Sequence, residues 1–363
     1  MNIKAVLSAS ILMIGTNALE ANAQQKWTMT STWPSSISLI EMDRKFAENA
    51  NLLTGDDLVI EFFDGGTLVP GFEVFDAVNS GTIEASGDWP GYWAGRDAAF
   101  NPLATHASLF TALDYVNWIH QWDGFDHYQE VYGKFGMVYL PYGVTNNESG
   151  FRTNTPIRSL EDLKGLRLRI AGLEQGRLIE RLGAVQVTMA GGELYQAAER
   201  GVIDGFEFST PDVDWGAGFQ EVTKYWSTPG WHQTSAVFGA MININAWNAL
   251  SEDTQKRLRL AADATMIWSL TNTERKATEG YLNFKNAGIE ITRMDDETLA
   301  EIQVLANEVI EEVACEFPSS GKVYASQLEY LLHYSNWRDA TAPFNMGKTP
   351  LGPDLGKIQG CLN

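Results

Sequence analysis

Positively charged residues are scarce in this chain of 363 residues. Lys and Arg together number 26 against 46 Asp and Glu, so the formal net charge is −20. A negative surface repels phosphate backbones and anionic lipid headgroups, which argues against nucleic acid and anionic membranes as partners. An anionic ligand would have to be held by local positive charge, against the field of the whole molecule.

Motifs of common catalytic centres are also missing. No two of the histidines have HxH or HExxH spacing, so a zinc site is not indicated. The sequence contains no GxSxG turn, no P-loop and no GxGxxG following a strand. An interpretation as an enzyme therefore begins without a recognisable nucleophile, phosphate loop or zinc centre.

Long apolar runs are confined to the N-terminus. Lys4 is followed by the largely apolar run Ala5–Ile14 and then by Ala21-Asn22-Ala23, which fits the rule for signal-peptide cleavage. We expect residues 1–23 to be a signal peptide cut after Ala23, with no cysteine there for lipid attachment. No later run approaches the ~20 apolar residues that cross a bilayer. The prediction is an acidic protein exported to the periplasm.

Cysteine occurs only at Cys315 and Cys361, both near the C-terminus. In an oxidising compartment a disulfide between them would tie the tail Thr349–Asn363 back onto the preceding helix. Two free thiols are the alternative.

Strands and helices alternate at the start of the mature sequence. Strands are predicted at Lys26–Thr32, Leu58–Phe63 and Thr82–Ser86, and helices at Ile37–Leu53 and Glu73–Asn79. This order is typical of βαβ units in a largely parallel sheet. The predicted fold class is therefore α/β.

The length allows two domains, and the chain begins a second α/β series at Phe151. The series follows a largely helical stretch, Leu109–Phe135, a strand, Met137–Tyr142, and the polar loop Gly143–Gly150. A second crossover is predicted near Val237, where another strand begins. We assign residues 24–148 and 237–285 to domain I, and residues 149–236 and 286–363 to domain II.

A long helix is predicted within Ala246–Lys285, where no Pro or Gly interrupts the pattern before Gly280. A helix of roughly 30 residues would be about 45 Å long, enough to span both domains.

The stretch Ala190–Phe208 has the strongest functional pattern. A helix over Leu194–Arg200 is followed by Gly201 and by a predicted strand, Val202–Phe208, which ends on Glu207 and Phe208. Ligands of α/β folds bind at the carboxyl ends of strands. A glutamate followed by an aromatic residue at such an end is therefore a candidate site.

Two arginines alternate with leucines on the strand Leu166–Ile170. Arg167 and Arg169 share one face, and only one of them can sit at the carboxyl end, where a planar guanidinium matches a carboxylate with two hydrogen bonds. The resemblance described below favours Arg169 for that role. For Arg167 a solvated surface position or a salt bridge is expected. A further candidate wall is the loop Asp88–Arg96, in which Trp89, Tyr92 and Trp93 either line a cleft or only pack the loop down.

Several segments together resemble the substrate-binding proteins of TRAP transporters, the tripartite ATP-independent periplasmic carriers. The resemblance runs from about Trp27 to the 330s, and its most specific pair is the strand Leu163–Ile170 with Ala190–Phe208. The motif Pro229–Gln233, with an aromatic residue after Glu207, is most similar to the branch that binds 2-oxo or 2-hydroxy monocarboxylates with a metal ion.

The resemblance implies a two-domain periplasmic-binding-protein fold that closes on its ligand and delivers it to membrane permease subunits. Separately, the helical C-terminus after Asp295 either packs on its own chain or swaps into a partner, so a homodimer is an open alternative. The resemblance also implies a sodium or calcium ion held by Glu207, by the backbone of Phe208 and by Gln233. The residues that it implies for the substrate are Arg169, Tyr92, Phe208, Trp33 and a polar residue within Asn146–Glu148, for which Asn146 and Asn147 are chosen.

Two positions depart from that branch. Phe208 stands where Trp or Asn is commoner, so a side-chain hydrogen bond is lost. Gln233 replaces an acid, which leaves less negative charge for a metal ion and favours a monovalent one or weaker binding.

The charges of the predicted site residues also favour a bound cation. A ligand carboxylate near Glu207 would meet repulsion on the order of 1–4 kcal/mol at about 4 Å, and Arg169 offsets one negative charge only. If Glu207 merely pairs with Arg169, the ligand need not be an acid. A C4-dicarboxylate or other carboxylate binder, a sensor component and an exported metal-dependent enzyme using Glu207 as a base remain alternatives.

Overall fold

A computed structural model describes residues 24–107 and 109–341, and two β-sheets organise them. In chain order the strands are β1 (Gln25–Ser31), β2 (Leu58–Phe62), β3 (Ala85–Asp88), β4 (Met137–Thr145), β5 (Phe151–Thr153), β6 (Arg167–Arg169), β7 (Val185–Val187), β8 (Gly205–Phe206), β9 (Tyr225–Thr228), β10 (Ala236–Asn243) and β11 (Glu290–Arg293). The helices are α1 (Ile40–Thr54), α2 (Val74–Asn79), α3 (Phe100–Ala104), α4 (Ala112–Gln121), α5 (Gly124–Gly133), α6 (Leu173–Arg181), α7 (Leu194–Glu199), α8 (Pro211–Gly216), α9 (Ile244–Asn248), α10 (Glu252–Asn286), α11 (Asp296–Glu316) and α12 (Pro318–Thr341).

The first sheet has the strand order β2-β1-β3-β10-β4, and we call it and the helices packed on it the first lobe. β1 is parallel to β2 and to β3, as the βαβ pattern predicted. β10 runs antiparallel to both β3 and β4, so the sheet is mixed. Because β10 returns from the second half of the sequence, local periodicity did not indicate this pairing.

The second sheet has the order β11-β9-β5-β8-β6-β7 and defines the second lobe. β6 lies between β7 and β8 and is parallel to both, while β5 is antiparallel to β8 and β9. This order sets the carboxyl ends of β6 and β8 side by side.

The long helix α10 has 35 residues, which corresponds to about 52 Å. The side chain of Ser251 accepts from the Thr254 N–H and closes its first turn. α10 packs on α1 and β4 of the first lobe and on α8 of the second. The predicted helix that spans both halves is therefore present.

The last described helix, α12, packs on α11 and also on α3 and α5 of the first lobe. Val323 and Tyr330 of α12 belong to the buried cluster that contains Phe110 and Trp118. The chain beyond residue 285 thus contacts both lobes. The domain boundaries given above stay a prediction.

Several predicted elements differ in extent. The stretch Leu109–Phe135 forms two helices, α4 and α5, that are separated at Trp122 and Asp123. β4 continues to Thr145, into the predicted polar loop. The predicted strand Val202–Phe208 shrinks to β8, because Val202 N–H bonds to the Ala197 carbonyl in the turn that ends α7.

No helix among residues 24–107 and 109–341 is long and apolar enough to cross a membrane. The predicted signal peptide, residues 1–23, lies outside the described residues, as does Cys361. Cys315 is exposed, and the disulfide stays a prediction.

Candidate functional site

A cavity of about 290 Å³, including space open to solvent, lies between the two lobes. Its walls come from loops at the carboxyl ends of strands, the usual place for ligands in α/β folds. The lining residues are Trp33, Leu39, Trp89, Tyr92, Glu148, Arg169, Ala171, Glu207, Phe208, Ser209, Gln233 and Phe238.

Arg169 is the last residue of β6 and is 2 % exposed. Its Nη1 donates to the carbonyl oxygen of Glu207 (3.0 Å) and to Oε1 of the same residue (2.8 Å), and its Nε donates to the Met189 carbonyl (3.2 Å). Nη2 has no hydrogen-bond partner among the described residues and remains available to a ligand. Arg167 is exposed and pairs with Asp204 at 2.8 Å, which confirms the expected salt bridge.

Glu207 follows β8 directly, and its backbone N–H donates to the Arg169 carbonyl (3.1 Å). Its Oε1 also accepts from the Ala171 N–H at 2.9 Å. Burial opposes ionisation of this carboxyl, but the charges of Arg169 and His232 outweigh burial and hold the pKa of Glu207 below its ordinary value. Glu207 is therefore an ionised carboxylate at 1 % exposure.

A second buried carboxyl, Glu148, lies beside Glu207, and His232 approaches both. His232 Nε2 is 3.6 Å from Glu148 Oε2 and 3.5 Å from Glu207 Oε2. Burial raises the pKa of Glu148 to about 8, with His232 acting in the opposite direction. For His232 burial disfavours the charge, but the two carboxylates raise its pKa to about 9. At neutral pH this imidazole is a local cation.

Gln233 completes this corner. With its amide nitrogen turned towards Glu148, that nitrogen lies 3.0 and 3.2 Å from the two carboxylate oxygens. The same amide lies next to the Ala171 carbonyl. The amide oxygen then takes the position 3.5 Å from the Ala171 carbonyl oxygen, and two oxygens that close together would suit a cation.

The chemistry of this corner fits a metal ion. One ligand atom each from Glu148, Glu207 and His232 lie within 4.8 Å of one another, and all three residues are buried. Neither ring nitrogen of His232 makes a hydrogen bond within the described residues. Two carboxylates and an amide oxygen are hard donors of the kind that sodium and calcium prefer, whereas an imidazole would be unusual for either ion.

The opposite wall is aromatic. Trp33 Nε1 donates to the Tyr92 hydroxyl oxygen (3.3 Å), so the Tyr92 proton is free to point to a ligand. In the second lobe, the Arg169 guanidinium lies 5.5 Å from the centre of the Phe208 ring. A Cβ at Gly191 would lie 2.3 Å from that ring, which explains why a glycine precedes α7 there.

Of the residues predicted for the site, the structure brings six to the cavity: Trp33, Tyr92, Arg169, Glu207, Phe208 and Gln233. The other two lie elsewhere. The Asn146 side chain donates to the Leu270 carbonyl (3.2 Å) on α10, and Asn147 lines a separate surface depression beside Trp231. Within the span Asn146–Glu148, Glu148 is the residue in the cavity, because β4 extends to Thr145 and shifts the register of the residues after it.

Sequence reasoning gave no role to three further residues of this region, Glu148, His232 and Ser209, whereas Trp89, for which two roles were left open, lines the cavity. The sequence offered a signal for Glu148 and for His232. Glu148 is a carboxylate directly after a crossover strand, and His232 is one of few histidines and stands beside Gln233. Ser209 follows Phe208 and had no signal of its own.

The family described as bacterial extracellular solute-binding protein, family 7, matches residues 29–316. The chain belongs to this family. The match covers both lobes and every residue of the cavity, so the resemblance inferred from the sequence motifs is confirmed.

Relatives extend the comparison to the whole fold. A monocarboxylate 2-oxoacid-binding periplasmic protein of Nostoc sp. is 27 % identical over 330 residues, 89 % of this chain and 90 % of the relative. A TRAP solute-binding protein of Bordetella bronchiseptica, with calcium and picolinate in one active site of its dimer, has a TM-score of 0.84 at 26 % identity, covering 88 % and 96 % of the two chains.

A further solved structure, a TRAP periplasmic solute-binding protein of Colwellia psychrerythraea with bound calcium and pyruvate, has a TM-score of 0.82 at 25 % identity. It covers 88 % of this chain and 98 % of its own. The three relatives are named for binding a solute and not for catalysis. The two-domain periplasmic-binding-protein fold predicted above is confirmed by these likenesses.

Proposed function

We propose that this solute-binding protein captures a small 2-oxo or 2-hydroxy monocarboxylate, such as pyruvate or lactate, together with sodium or calcium. The observation that carries the proposal is the buried Arg169, whose Nη2 stays without a protein partner while Nη1 and Nε are engaged. Arg169 also lines the cavity, which a purely structural salt bridge would not require. The free Nη2 favours an anionic ligand over the alternative in which Glu207 alone satisfies Arg169.

The charge balance supports a cation beside the acid. Glu207 is ionised and already paired with Arg169 at 2.8 Å, and His232 faces both Glu207 and Glu148, so an added ligand carboxylate would have no counter-charge of its own. Glu207, Glu148, the amide oxygen of Gln233 and the Phe208 carbonyl would hold the ion. Bound there, it would supply a positive centre that a 2-oxo or 2-hydroxy acid can chelate.

The cavity volume supports a small ligand. The unfilled space is about 290 Å³ and part of it is open to solvent, so it leaves room for a small solute only. Apolar walls at Leu39, Trp33 and Phe238 suit a short carbon chain. The named ligands of the relatives, 2-oxoacids, pyruvate and picolinate, are small monocarboxylates.

We infer that capture proceeds by closure of two domains, residues 24–148 with 237–285 and residues 149–236 with 286–363. Tyr92 would contact the ligand from the first and Arg169 from the second. A ligand that contacts both lobes favours the closed form, which membrane permease subunits of a TRAP transporter would then recognise. Binding without turnover is the proposed activity, in keeping with the relatives, which are named for binding solutes.

We further propose that the mature protein works in the periplasm after cleavage behind Ala23. A homodimer is proposed by analogy with the dimer of the Bordetella relative. N-terminal sequencing of the exported protein and light scattering of the purified one test these two statements.

Isothermal titration calorimetry of the purified protein tests the ligand class. Pyruvate and lactate should bind in sodium or calcium, and binding should weaken after chelation and dialysis into a buffer free of both ions. Succinate, a C4-dicarboxylate, should bind at least tenfold more weakly. Tighter binding of succinate than of either monocarboxylate would overturn the proposed ligand class.

A further inference from the structure

Two polar groups that line the cavity have no hydrogen-bond partner among the described residues. They are Nε1 of Trp89, in the first lobe, and Oγ of Ser209, in the second. Trp89 is 4 % exposed and Ser209 is 1 % exposed. Buried polar groups in folded proteins are nearly always paired, so two unpaired groups on the walls of one cavity indicate a missing partner.

The Trp89 indole is fixed and cannot turn to another acceptor. A Cβ at Gly91 would lie 2.1 Å from the outer edge of its six-membered ring, so that ring rests directly on the Gly91 backbone. The ring centre of Tyr92 is 4.9 Å away at 74°. Nε1 has no acceptor among the described residues, and a ligand in the cavity that Trp89 lines would supply one.

Ser209 is held in the same way through its backbone. Its N–H donates to Asp214 Oδ1 (3.2 Å), and its carbonyl accepts from the Ser149 N–H (2.9 Å). Only the hydroxyl group is left without a partner. Trp89 follows the carboxyl end of β3 and Ser209 follows β8, so the two lobes each contribute one group.

The proposed function, on which this inference rests, does not supply partners for these groups. The ligand carboxylate would face Arg169 and Tyr92, and the 2-oxo or 2-hydroxy oxygen would face the cation near Glu207. We infer that Trp89 and Ser209 form a second polar subsite that binds an additional oxygen on the third carbon of the acid.

A neutral hydroxyl fits this subsite better than a second carboxylate. A hydroxyl oxygen accepts from Trp89, which can only donate, and exchanges a hydrogen bond with Ser209, which can do both. A carboxylate would bring a second negative charge from the ligand, whereas the cations described at this site, Arg169 and His232, already face Glu207 and Glu148. The ligand class is therefore a short monocarboxylic acid hydroxylated at its third carbon.

An isosteric ligand pair tests the subsite. 3-Hydroxypyruvate and 2-oxobutyrate differ by a hydroxyl in place of a methyl group, so calorimetry on the wild-type protein compares that oxygen alone. We expect 3-hydroxypyruvate to bind about tenfold more tightly, because 2-oxobutyrate leaves both groups unpaired. In Ser209→Ala and in Trp89→Phe the preference should shrink to about threefold or less.

Ser320→Ala is the matched control, since Ser320 is also fully buried with an unpartnered hydroxyl but lies on α12, away from the cavity. It should keep the wild-type preference. Thermal unfolding checks each variant, and if Trp89→Phe does not fold, Ser209→Ala decides. Equal binding of the two acids by the wild type, or an equal loss for both acids in the variants, overturns the subsite. Binding of neither acid in sodium or calcium would instead refute the proposed function.

Discussion

Replacing Arg169 by lysine tests the anion site at the level of single hydrogen bonds. The variant keeps the positive charge but loses the planar fork with which Nη1 donates to the backbone carbonyl and Oε1 of Glu207 and Nε donates to the Met189 carbonyl. A lysine ammonium has three donors, and Glu207 and the Met189 carbonyl compete for them. The ligand then loses at least one charge-assisted hydrogen bond.

The expected loss of ligand affinity follows from the number of hydrogen bonds that the variant cannot make. A hydrogen bond to a charged group contributes about 1.5–3 kcal/mol, which corresponds to roughly 10–150-fold in affinity. Arg169→Ala should weaken binding further, and it should also lower stability by about 3–5 kcal/mol because Glu207 is left buried and unpaired. The double variant Arg169→Ala with Glu207→Gln removes that charge, so it should regain stability without regaining binding.

Calorimetry with pyruvate, in sodium and in calcium, measures the affinity, and urea unfolding measures the stability. Arg167→Lys, on the same strand but in an exposed pair with Asp204, is the matched control and should bind as the wild type does. If Arg169→Lys binds pyruvate within twofold of the wild type, the ligand does not use this guanidinium, and the reasoning fails.

Three further predictions concern the ion, the first lobe and the core. Glu207→Gln should lose the dependence of acid binding on sodium or calcium, measured by titration with and without a chelator; undiminished ion dependence would remove Glu207 from the metal site. Tyr92→Phe should weaken binding by about 3–10-fold in calorimetry, because one neutral hydrogen bond is lost and Trp33 Nε1 loses its acceptor; equal affinity would mean that the hydroxyl does not contact the ligand. Burial raises the pKa of Asp43 to about 7, although the Tyr142 hydroxyl donates to it. The folded protein therefore holds this proton where the unfolded chain has lost it, and stability should fall by about 2 kcal/mol between pH 5 and pH 8 from this group alone. Asp43→Asn should reduce that fall in urea unfolding, and an unchanged pH profile would contradict the assignment.

Much of the fold followed from local pattern. The helix α10 was predictable because its apolar positions repeat with helical spacing and Ser251 supplies a cap. β1 and β2 were predictable because their runs of β-branched and aromatic residues are bounded by turns. Helical spacing, caps and turns depend on residues only a few positions apart, so they can be identified from a single sequence.

The candidate site was predicted unevenly for the same reason. Glu207 stands at the end of a predicted strand, which marks it as a candidate in an α/β fold, and the family resemblance favoured Arg169 over Arg167. Asn146 and Asn147 were chosen where Glu148 lines the cavity, because the end of β4 depends on its pairing with β10, about ninety residues later. A shift of one residue in such a strand moves a side chain to the other face.

By itself the amino-acid sequence determined the α/β alternation, the acidic character and the residues that stand at strand ends. Only the tertiary structure decided that β6 and β8 are neighbours, so that Arg169 pairs with Glu207, and that Glu148 and His232 join them away from water. The protonation state of an ionisable side chain depends on its burial and on partners that are distant in the chain. Both are properties of the packing, which the local spacing of residues in the sequence does not contain.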